Sequence, residues 1–214
     1  MMNYSFYLKP GKKSIFVIQR DGVSLGTLPR SKLILFLNTE DKLDISDNNE
    51  AYLREELLRY GRERLFKFLA YRDRSVKETK QFLKELPLSK EFVDELMGFC
   101  LDKGFLNDKR YAEMFVMSAR DNRMSKREVR FKLREKGIGN SYVESAISEF
   151  YPETDEKQNL RELVDYAFRR YKCEDTRKHK SKCIEYLIRK GYEYYNVKAE
   201  IDKVFGSDDN DFEF

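Results

Sequence analysis

Cysteine and histidine are the side chains with which this sequence could bind a metal or form a nucleophile, and it has few of them. The chain contains three Cys and one His, with Cys173, His179 and Cys183 close together. Thiolate and imidazole are typical zinc ligands. However, this spacing matches no compact ligand pair, a fourth ligand is missing, and Cys183 falls on a predicted core face. We therefore predict no metal site, and a single His offers no Ser-His-Asp or Cys-His set.

Phosphate-binding motifs are also missing from the sequence. It contains neither G-x-x-x-x-G-K-[ST] nor G-x-G-x-x-G, the glycine-rich loops that hold nucleotide phosphates. We therefore expect no cofactor and no enzymatic activity.

Clustered basic side chains offer the remaining chemistry, which is contact with phosphates or with an acidic protein surface. On an ideal helix Arg127, Arg130 and Arg134 lie within about 60° of one another, whereas Val129 and Leu133 point away from them. One face is thus predicted to be basic and the opposite face to be core. The predicted contact residues of this stretch are Arg120, Arg123, Lys126, Arg127, Arg130 and Arg134.

Two further basic groups accompany this stretch. Residues at equivalent repeat positions earlier in the chain are Lys77, Lys80 and Lys84, and a later helix carries Lys178, Lys182 and Arg189 on one face. The later group does not align with the other two. The alternative for each group is a solvated helix face, which is what most charge-rich helices present.

A tandem repeat positions these residues. The segment 75–83 aligns without gaps on 125–133 at an offset of 50 residues, and a third copy follows at an offset of 54. Each copy reads as three helices, which in the second copy are expected over 108–120, 125–136 and 141–150. Ser75 and Ser125 are predicted N-caps with Glu three residues later, the capping-box spacing. Gly137 and Gly191 are predicted to end helices with positive φ.

Aromatic residues at core positions of the repeats are expected to pack there, and these are Phe66, Phe82, Phe92, Phe115 and Tyr142. For Tyr192, Tyr194 and Tyr195, beside a basic helix, packing and stacking on nucleic-acid bases both stay open. Gly137-Ile138-Gly139 is similar to a helix-hairpin-helix turn, although the other repeats lack its second glycine.

The N-terminal region carries the only convincing β signal. Two β-rich runs, 14–20 and 23–28, flank Asp21-Gly22, which predicts a tight hairpin. The predicted fold is mainly α, with three tandem three-helix repeats in an elongated curved array and a small N-terminal β-hairpin. The predicted boundaries are 1–49 for the hairpin region, 50–106, 107–152 and 153–205 for the repeats, and 206–214 for a disordered acidic tail.

Composition limits the class of protein. The chain has 214 residues, 37% of them charged, with a net charge of only +4, so it is not a polycation that binds nucleic acid through bulk charge. The few cysteines indicate a reducing compartment, the cytoplasm. The sequence shows neither a signal peptide nor a membrane span, and we expect a monomer.

The segment Gly104-Phe-Leu-Asn-Asp-Lys-Arg-Tyr-Ala112, followed by a basic helix ending in Leu-Arg-Glu-Lys-Gly-Ile138, resembles the signature of the RecX family of bacterial regulatory proteins. The hairpin, the repeats and the length also resemble this family over nearly the whole chain, least in the third repeat and the tail. Asp108, Arg110, Tyr111 and Ala112 match the signature and are interpreted as mainly structural, bracing the junction of the first two repeats.

The resemblance implies a non-enzymatic modulator of the RecA recombinase. Such a protein lies in the groove of the RecA filament on single-stranded DNA and restrains filament growth, ATP hydrolysis, strand exchange and co-protease activity, in recombination, DNA repair and the SOS response. The partner is then the RecA nucleoprotein filament, with single-stranded DNA as a further contact. The alternative is a stand-alone DNA-binding protein that uses the same basic helices.

Overall fold

The computed structural model describes residues 3–40, 42–45 and 47–206. The predicted acidic tail, apart from Gly206, lies outside the described residues. Over the described ranges the chain is mainly α with a small antiparallel sheet at its N-terminal end, which confirms the predicted fold class. The chain divides into two units, 1–107 and 108–214.

The first unit begins with a three-stranded sheet, β1 (Tyr4–Leu8), β2 (Ile15–Arg20) and β3 (Val23–Pro29), in the order β1-β2-β3. The predicted hairpin is β2-β3, and its turn residue Asp21 has a positive φ of 50°. The strand β1, which pairs antiparallel with β2, was not predicted. The short helix α1 (Arg30–Leu33) follows the sheet and leads into a 3-10 turn, Ile34–Phe36.

Three helices complete the first unit, namely α2 (Asp47–Tyr71), α3 (Val76–Glu85) and α4 (Lys90–Asp102). They share one hydrophobic core with the sheet, since Ile18 and Leu28 of the strands cluster with Leu57 of α2 and Leu96 of α4. The predicted N-terminal region and first repeat therefore bury their apolar side chains together.

The second unit contains six helices among its described residues. The second repeat comprises α5 (Asp108–Asp121), α6 (Lys126–Glu135) and α7 (Asn140–Phe150), within one residue of the predicted ends. The third repeat comprises α8 (Glu153–Arg170), α9 (Thr176–Arg189) and α10 (Tyr194–Phe205). Each repeat has its own buried cluster, one around Val129 and Leu133 and the other around Leu187.

The predicted caps are present with one difference. At Ser75 both halves of the capping box form, because the hydroxyl accepts the Glu78 amide and the Glu78 carboxylate accepts the Ser75 amide. At Ser125 the hydroxyl accepts the Glu128 amide, but the Glu128 carboxylate lies 3.5 Å from Lys132. The carboxylate is drawn to a cation one turn away, which the spacing of the cap could not reveal.

Several aromatic residues expected in the core differ in exposure. Phe92 is buried, but Tyr142 is 44% exposed and Phe66 is 37% exposed, so the core prediction is wrong for Tyr142. Phe66 still packs against the rings of Phe99 and Phe105. Tyr192 is buried, which favours its packing role, whereas Tyr195 is 82% exposed.

Gly191 joins the third repeat to the second. It ends α9 with a φ of +86°, and a Cβ built there would lie 2.5 Å from the Ser125 hydroxyl oxygen and 3.0 Å from the Cβ of Glu128. A side chain would thus be strained by its backbone and would also collide with the N-terminus of α6.

We predict that Gly191→Ala destabilises the protein by about 3 kcal/mol, combining the cost of left-handed backbone with the cost of overpacking. Gly104→Ala is the matched control, because Gly104 has a φ of +69° and open space around its Cβ position. It should cost only about 1 kcal/mol. Urea denaturation followed by circular dichroism measures both, and equal losses would contradict the collision at Ser125.

Candidate functional site

The outward face of α6 carries the central predicted contact residues. Val129 and Leu133 are fully buried, so the opposite side of the helix faces away from the core. Arg127 and Arg134 are exposed on that side. Arg127 makes no ion pair among the described residues, and Arg134 donates to the Asn140 side chain at 3.2 Å. Both cationic groups are available to an acidic ligand.

Arg130 is already paired within the repeat. Its guanidinium donates to both carboxylate oxygens of Glu144 on α7, with distances of 2.9 to 3.2 Å. This bidentate pair lowers the pKa of Glu144 and raises the pKa of Arg130, since each stabilises the charged form of the other. Arg130 thus positions α7 against α6, and its charge is partly neutralised.

An exposed aromatic ring lies among these cations. Phe131 is 58% exposed, and its spacing of four residues from Arg127 and three from Arg134 places it on the same face of α6. The sequence analysis missed it. The sequence feature that could have identified Phe131 is its large apolar side chain at a helix position outside the apolar core pattern.

Arg120, Arg123 and Lys126, three of the predicted contact residues, already make bonds within the second unit, and their contact with a partner stays a prediction. Arg123 lies 2.6 Å from Glu162 and Lys126 lies 2.7 Å from Glu153, and both acids are on α8. Arg120 donates to the carbonyl of Phe150, the last residue of α7. Each of these three side chains is therefore already bonded to another group of the second unit. These partners on α7 and α8 lie 27 to 39 residues further along the chain, so a local count of bases could not identify the contacts.

Neutral groups of the third repeat reach the same turn. Asn159 donates to the Arg120 carbonyl at 2.8 Å, and Tyr192 donates to the Arg123 carbonyl at 3.2 Å. Within the second repeat, the fully buried Tyr151 donates to the Met124 carbonyl at 2.9 Å. Burial raises the pKa of both tyrosines, so their hydroxyls keep the protons that they donate.

Lys126 sits between two glutamates whose pKa values shift in opposite directions. Its side chain is only 13% exposed; its ammonium group pairs with Glu153, and its backbone amide donates to Glu156 at 2.7 Å. The bond to Lys126 lowers the pKa of Glu153. Burial raises the pKa of Glu156 despite the nearby cation.

The first-unit group lies on α3. Lys80 and Lys84 are exposed and make no ion pair among the described residues, and Lys77 is exposed beside them. Thr79 and Leu83 form the buried side of the same helix. The arrangement of α3 therefore resembles that of α6, with lysine in place of arginine.

The third group lies along α9. Lys182 and Arg189 are exposed without ion pairs among the described residues, whereas Lys178 lies 3.6 Å from Asp175, the N-cap of the helix. Between them Lys180 is buried and pairs with Asp202 at 3.0 Å. Only part of the positive charge counted in this stretch is therefore available.

The signature residues lie in the first turns of α5. Ala112 is fully buried in the core of the second repeat, and Tyr111 stacks on Phe115 with ring centroids 6.4 Å apart. Asp108 lies in the first turn of α5, where the helix dipole stabilises a carboxylate. Arg110 is exposed. Their predicted role in bracing the first two repeats stays a prediction.

Of the metal and nucleophile candidates, His179 and Cys183 are buried in the core of the third repeat, whereas Cys173 is exposed. His179 is buried between Phe168 and Phe205, with Nε2 2.8 Å from the Phe168 carbonyl oxygen. Cys183 is fully buried, and burial raises the pKa of its thiol to about 11. The described residues contain no group of three or more His, Cys, Asp or Glu placed to hold a metal ion. None of the described helices is long and apolar enough to cross a membrane.

The fold and the face of α6 define a protein of tandem three-helix repeats with a basic surface that also carries an aromatic ring. Residues 107–147 match the sequence profile of the RecX second three-helix domain, and residues 154–199 match that of the third. The two profiles occur in their native order and coincide with the second and third repeats. Over these two repeats the chain matches the RecX family.

Relatives and solved structures agree with this assignment. The regulatory protein RecX of Oceanobacillus iheyensis is 28% identical over 69% of this chain and 54% of its own length, so the alignment spans about half of that relative. The regulatory protein RecX of Bacillus subtilis is 28% identical over 80% of this chain and 65% of its own length. A crystal structure of a regulatory protein RecX shares the fold, with a TM-score of 0.61 and 23% identity over 94% of this chain and all of that chain.

The opposite pKa shifts of Glu156 and Glu144 predict opposite dependences on pH. Because the folded-state pKa of Glu156 is raised, its stabilisation is complete below its ordinary pKa of 4.5 and is lost as the pH rises. Glu156→Gln should therefore gain stability relative to the unsubstituted protein as the pH rises from about 3 to 7. The glutamine oxygen can still accept the Lys126 amide.

Glu144→Gln is the control with the reverse sign. The folded-state pKa of Glu144 is lowered, so its stabilisation is present above the ordinary pKa and is lost as the pH falls. This variant should lose stability relative to the unsubstituted protein over the same rise in pH. Urea denaturation at several pH values measures both slopes, and slopes of the same sign would rule out this electrostatic account.

Proposed function

We propose that this protein regulates the RecA recombinase by binding the RecA filament on single-stranded DNA, and that the outward face of α6 makes the central contact. In this role it restrains filament growth, ATP hydrolysis, strand exchange and co-protease activity, and so acts in recombination, DNA repair and the SOS response. The observation that carries the proposal is the exposed Phe131 set among the arginines of α6.

An aromatic ring among cations favours a protein partner over a ligand that offers phosphates alone. A surface that binds only phosphates needs cations. An apolar ring in contact with phosphate oxygens adds nothing to the binding affinity of such a surface. A protein surface can bury the ring in a pocket while its acidic rim pairs with Arg127 and Arg134. Aromatic residues and arginine are the side chains that dominate binding energy at protein interfaces.

The repeat organisation supports a partner that is itself repetitive. The exposed lysines of α3 offer a second cationic helix face, and the free end of α9 offers a third. Each contact alone would be weak, but contacts within one chain raise the effective concentration of the next. A filament presents the same acidic surface many times and would benefit from this arrangement.

The remaining features fit a regulator that is not an enzyme. The relatives are named regulatory proteins, and the functional candidates among the described residues are surfaces. RecA acts in the bacterial cytoplasm, where thiols stay reduced, and the three cysteines of this chain are free.

We predict that Arg127→Glu combined with Arg134→Glu raises the concentration needed for half-inhibition of RecA at least about tenfold, because both side chains belong to the contact and not to the core. The measurement is RecA ATP hydrolysis on single-stranded DNA with increasing amounts of this protein. Arg130 is left unchanged, since its reversal would place a carboxylate against Glu144.

Lys12→Glu combined with Lys13→Glu is the matched control, because it makes the same change in net charge in the exposed β1-β2 connection. It should leave inhibition unchanged. Full inhibition of RecA by the folded α6 variant, or an equal loss of inhibition in the control, would contradict the assignment of this surface.

Phe131→Ala separates a protein partner from DNA. It should weaken inhibition of RecA strongly while leaving binding to bare single-stranded DNA unchanged. If the chain binds bare DNA tightly, with steep salt dependence, and has no effect on RecA, the protein is a stand-alone DNA-binding protein.

A further inference from the structure

A cleft in the second unit lies beside the outward face of α6. It encloses about 300 Å³, and Arg127 and Arg130 of α6 line it together with Asn196 and Glu200 of α10 and Lys157 of α8. Arg127 belongs both to this cleft and to the outward face of α6. The cleft therefore connects that face with α10, the last helix among the described residues.

Two cations of the cleft have no acidic partner that accounts for them. Arg127 and Lys157 are exposed and make no ion pair among the described residues. Three glutamates of the cleft already bond to other groups of the second unit, namely Glu153, Glu156 and Glu200. Glu193 is the one further acid that lines the cleft. The available charge of the cleft and of the adjoining outward face is therefore positive.

The residues that follow α10 in the sequence are complementary to this surface. Residues 207–214 read Ser-Asp-Asp-Asn-Asp-Phe-Glu-Phe, with four acids, no base and two aromatic rings. Acids match the unpaired cations, and an aromatic ring matches Phe131, which is 58% exposed on α6. The same chemistry, an acidic surface with an apolar contact for Phe131, is what the proposed partner offers to this face.

The segment 207–214 is long enough to reach the cleft and the outward face. Glu200 lines the cleft and lies six residues before Gly206, which corresponds to about 9 Å along α10. Eight extended residues span about 26 Å. The segment can therefore turn back along α10, cross the cleft to Arg127 and contact Phe131, which lies about 6 Å further along α6.

We propose that residues 207–214 bind back onto the second unit, across this cleft and the outward face of α6, and compete there with the partner of that face. The acids pair with Arg127 and Lys157, and Phe212 or Phe214 packs against Phe131. The inference rests on the proposed function only for the identity of the competitor, since binding of the segment itself needs no partner. A segment bound for about 90% of the time would weaken partner binding about tenfold, because only the unoccupied fraction is competent to bind.

Tryptophan fluorescence tests the contact in the full-length chain, because the sequence contains no tryptophan. Phe214→Trp places a single indole in the segment, and indole emission moves to shorter wavelength when the ring leaves water. We expect this emission at shorter wavelength than that of a free peptide of residues 206–214 with the same substitution. High salt should reduce the difference, since it screens the ion pairs of an exposed surface.

Reversal of the two cations shows whether the segment binds at the proposed place. In the Phe214→Trp protein, Arg127→Glu combined with Lys157→Glu should return the emission to that of the free peptide. The matched control is Lys12→Glu combined with Lys13→Glu, which makes the same change in net charge in the first unit and should keep the shorter wavelength. Circular dichroism confirms that each variant is folded.

Neutralisation of the segment tests the competition with the partner. Asp208→Asn, Asp209→Asn, Asp211→Asn and Glu213→Gln combined should lower the concentration needed for half-inhibition of RecA about tenfold. The matched control neutralises three Asp and one Glu that are exposed and make no ion pair among the described residues of the first unit, by Glu55→Gln, Asp73→Asn, Asp94→Asn and Asp102→Asn. This control should leave inhibition unchanged.

The outcomes separate this inference from the proposed function. Emission of Phe214→Trp at the wavelength of the free peptide would overturn binding of the segment, even if the protein inhibits RecA. A shift that persists after reversal of Arg127 and Lys157 would overturn the proposed place. Equal effects of the two sets of neutralised acids on inhibition would assign the change to net charge and overturn the competition. The expected shift in a protein without effect on RecA would support binding of the segment and contradict the proposed function.

Discussion

The turn between α5 and α6 is the constraint on which the second unit depends. The carbonyls of Arg120, Arg123 and Met124 accept hydrogen bonds at this turn, and a carbonyl removed from water without a partner is costly. Asn159, Tyr192 and Tyr151 supply those partners, and Glu156 accepts the first amide of α6. Tyr151 belongs to the second repeat, but Asn159, Tyr192 and Glu156 belong to the third, so groups outside its own repeat help to set the direction in which α6 leaves the turn. The outward face of α6 follows from that direction.

Neighbouring acids decide which basic side chains are available to a partner. Arg123 and Arg127 are both exposed arginines, yet Arg123 pairs with Glu162 and Arg127 makes no ion pair among the described residues. Lys180 and Lys182 differ in the same way, since Asp202 engages only the former among the described residues. Fewer basic side chains are therefore available to a partner than the composition of this charge-rich chain indicates. Specific recognition by a protein with a small net charge then rests on a few positions.

The sequence predicted the repeats and the helix ends because those depend on local chemistry. Ser caps, Gly at helix ends and apolar spacing act within one or two turns, so the ends of α5, α6 and α7 were predicted within one residue. The strand β1 was missed because it has no turn signal of its own and depends on pairing with β2. The roles of Lys126 and Arg123 depend on α8, and Phe131 was hidden because an apolar residue on a helix is normally assigned to the core. Long-range partners are what local patterns cannot encode.

The contact of Gly191 with Ser125 bears on how repeats of this kind can be gained or lost. Repeats that touch only through apolar faces can be added or deleted one at a time, each with a fixed increment of stability. Here the end of α9 is shaped to fit the start of α6, and the turn of the second repeat is completed by the third. In the second unit the second and third repeats would therefore be gained or lost together, as a pair. A lineage that discarded the third repeat would have to replace a whole set of hydrogen-bonding partners at the same time.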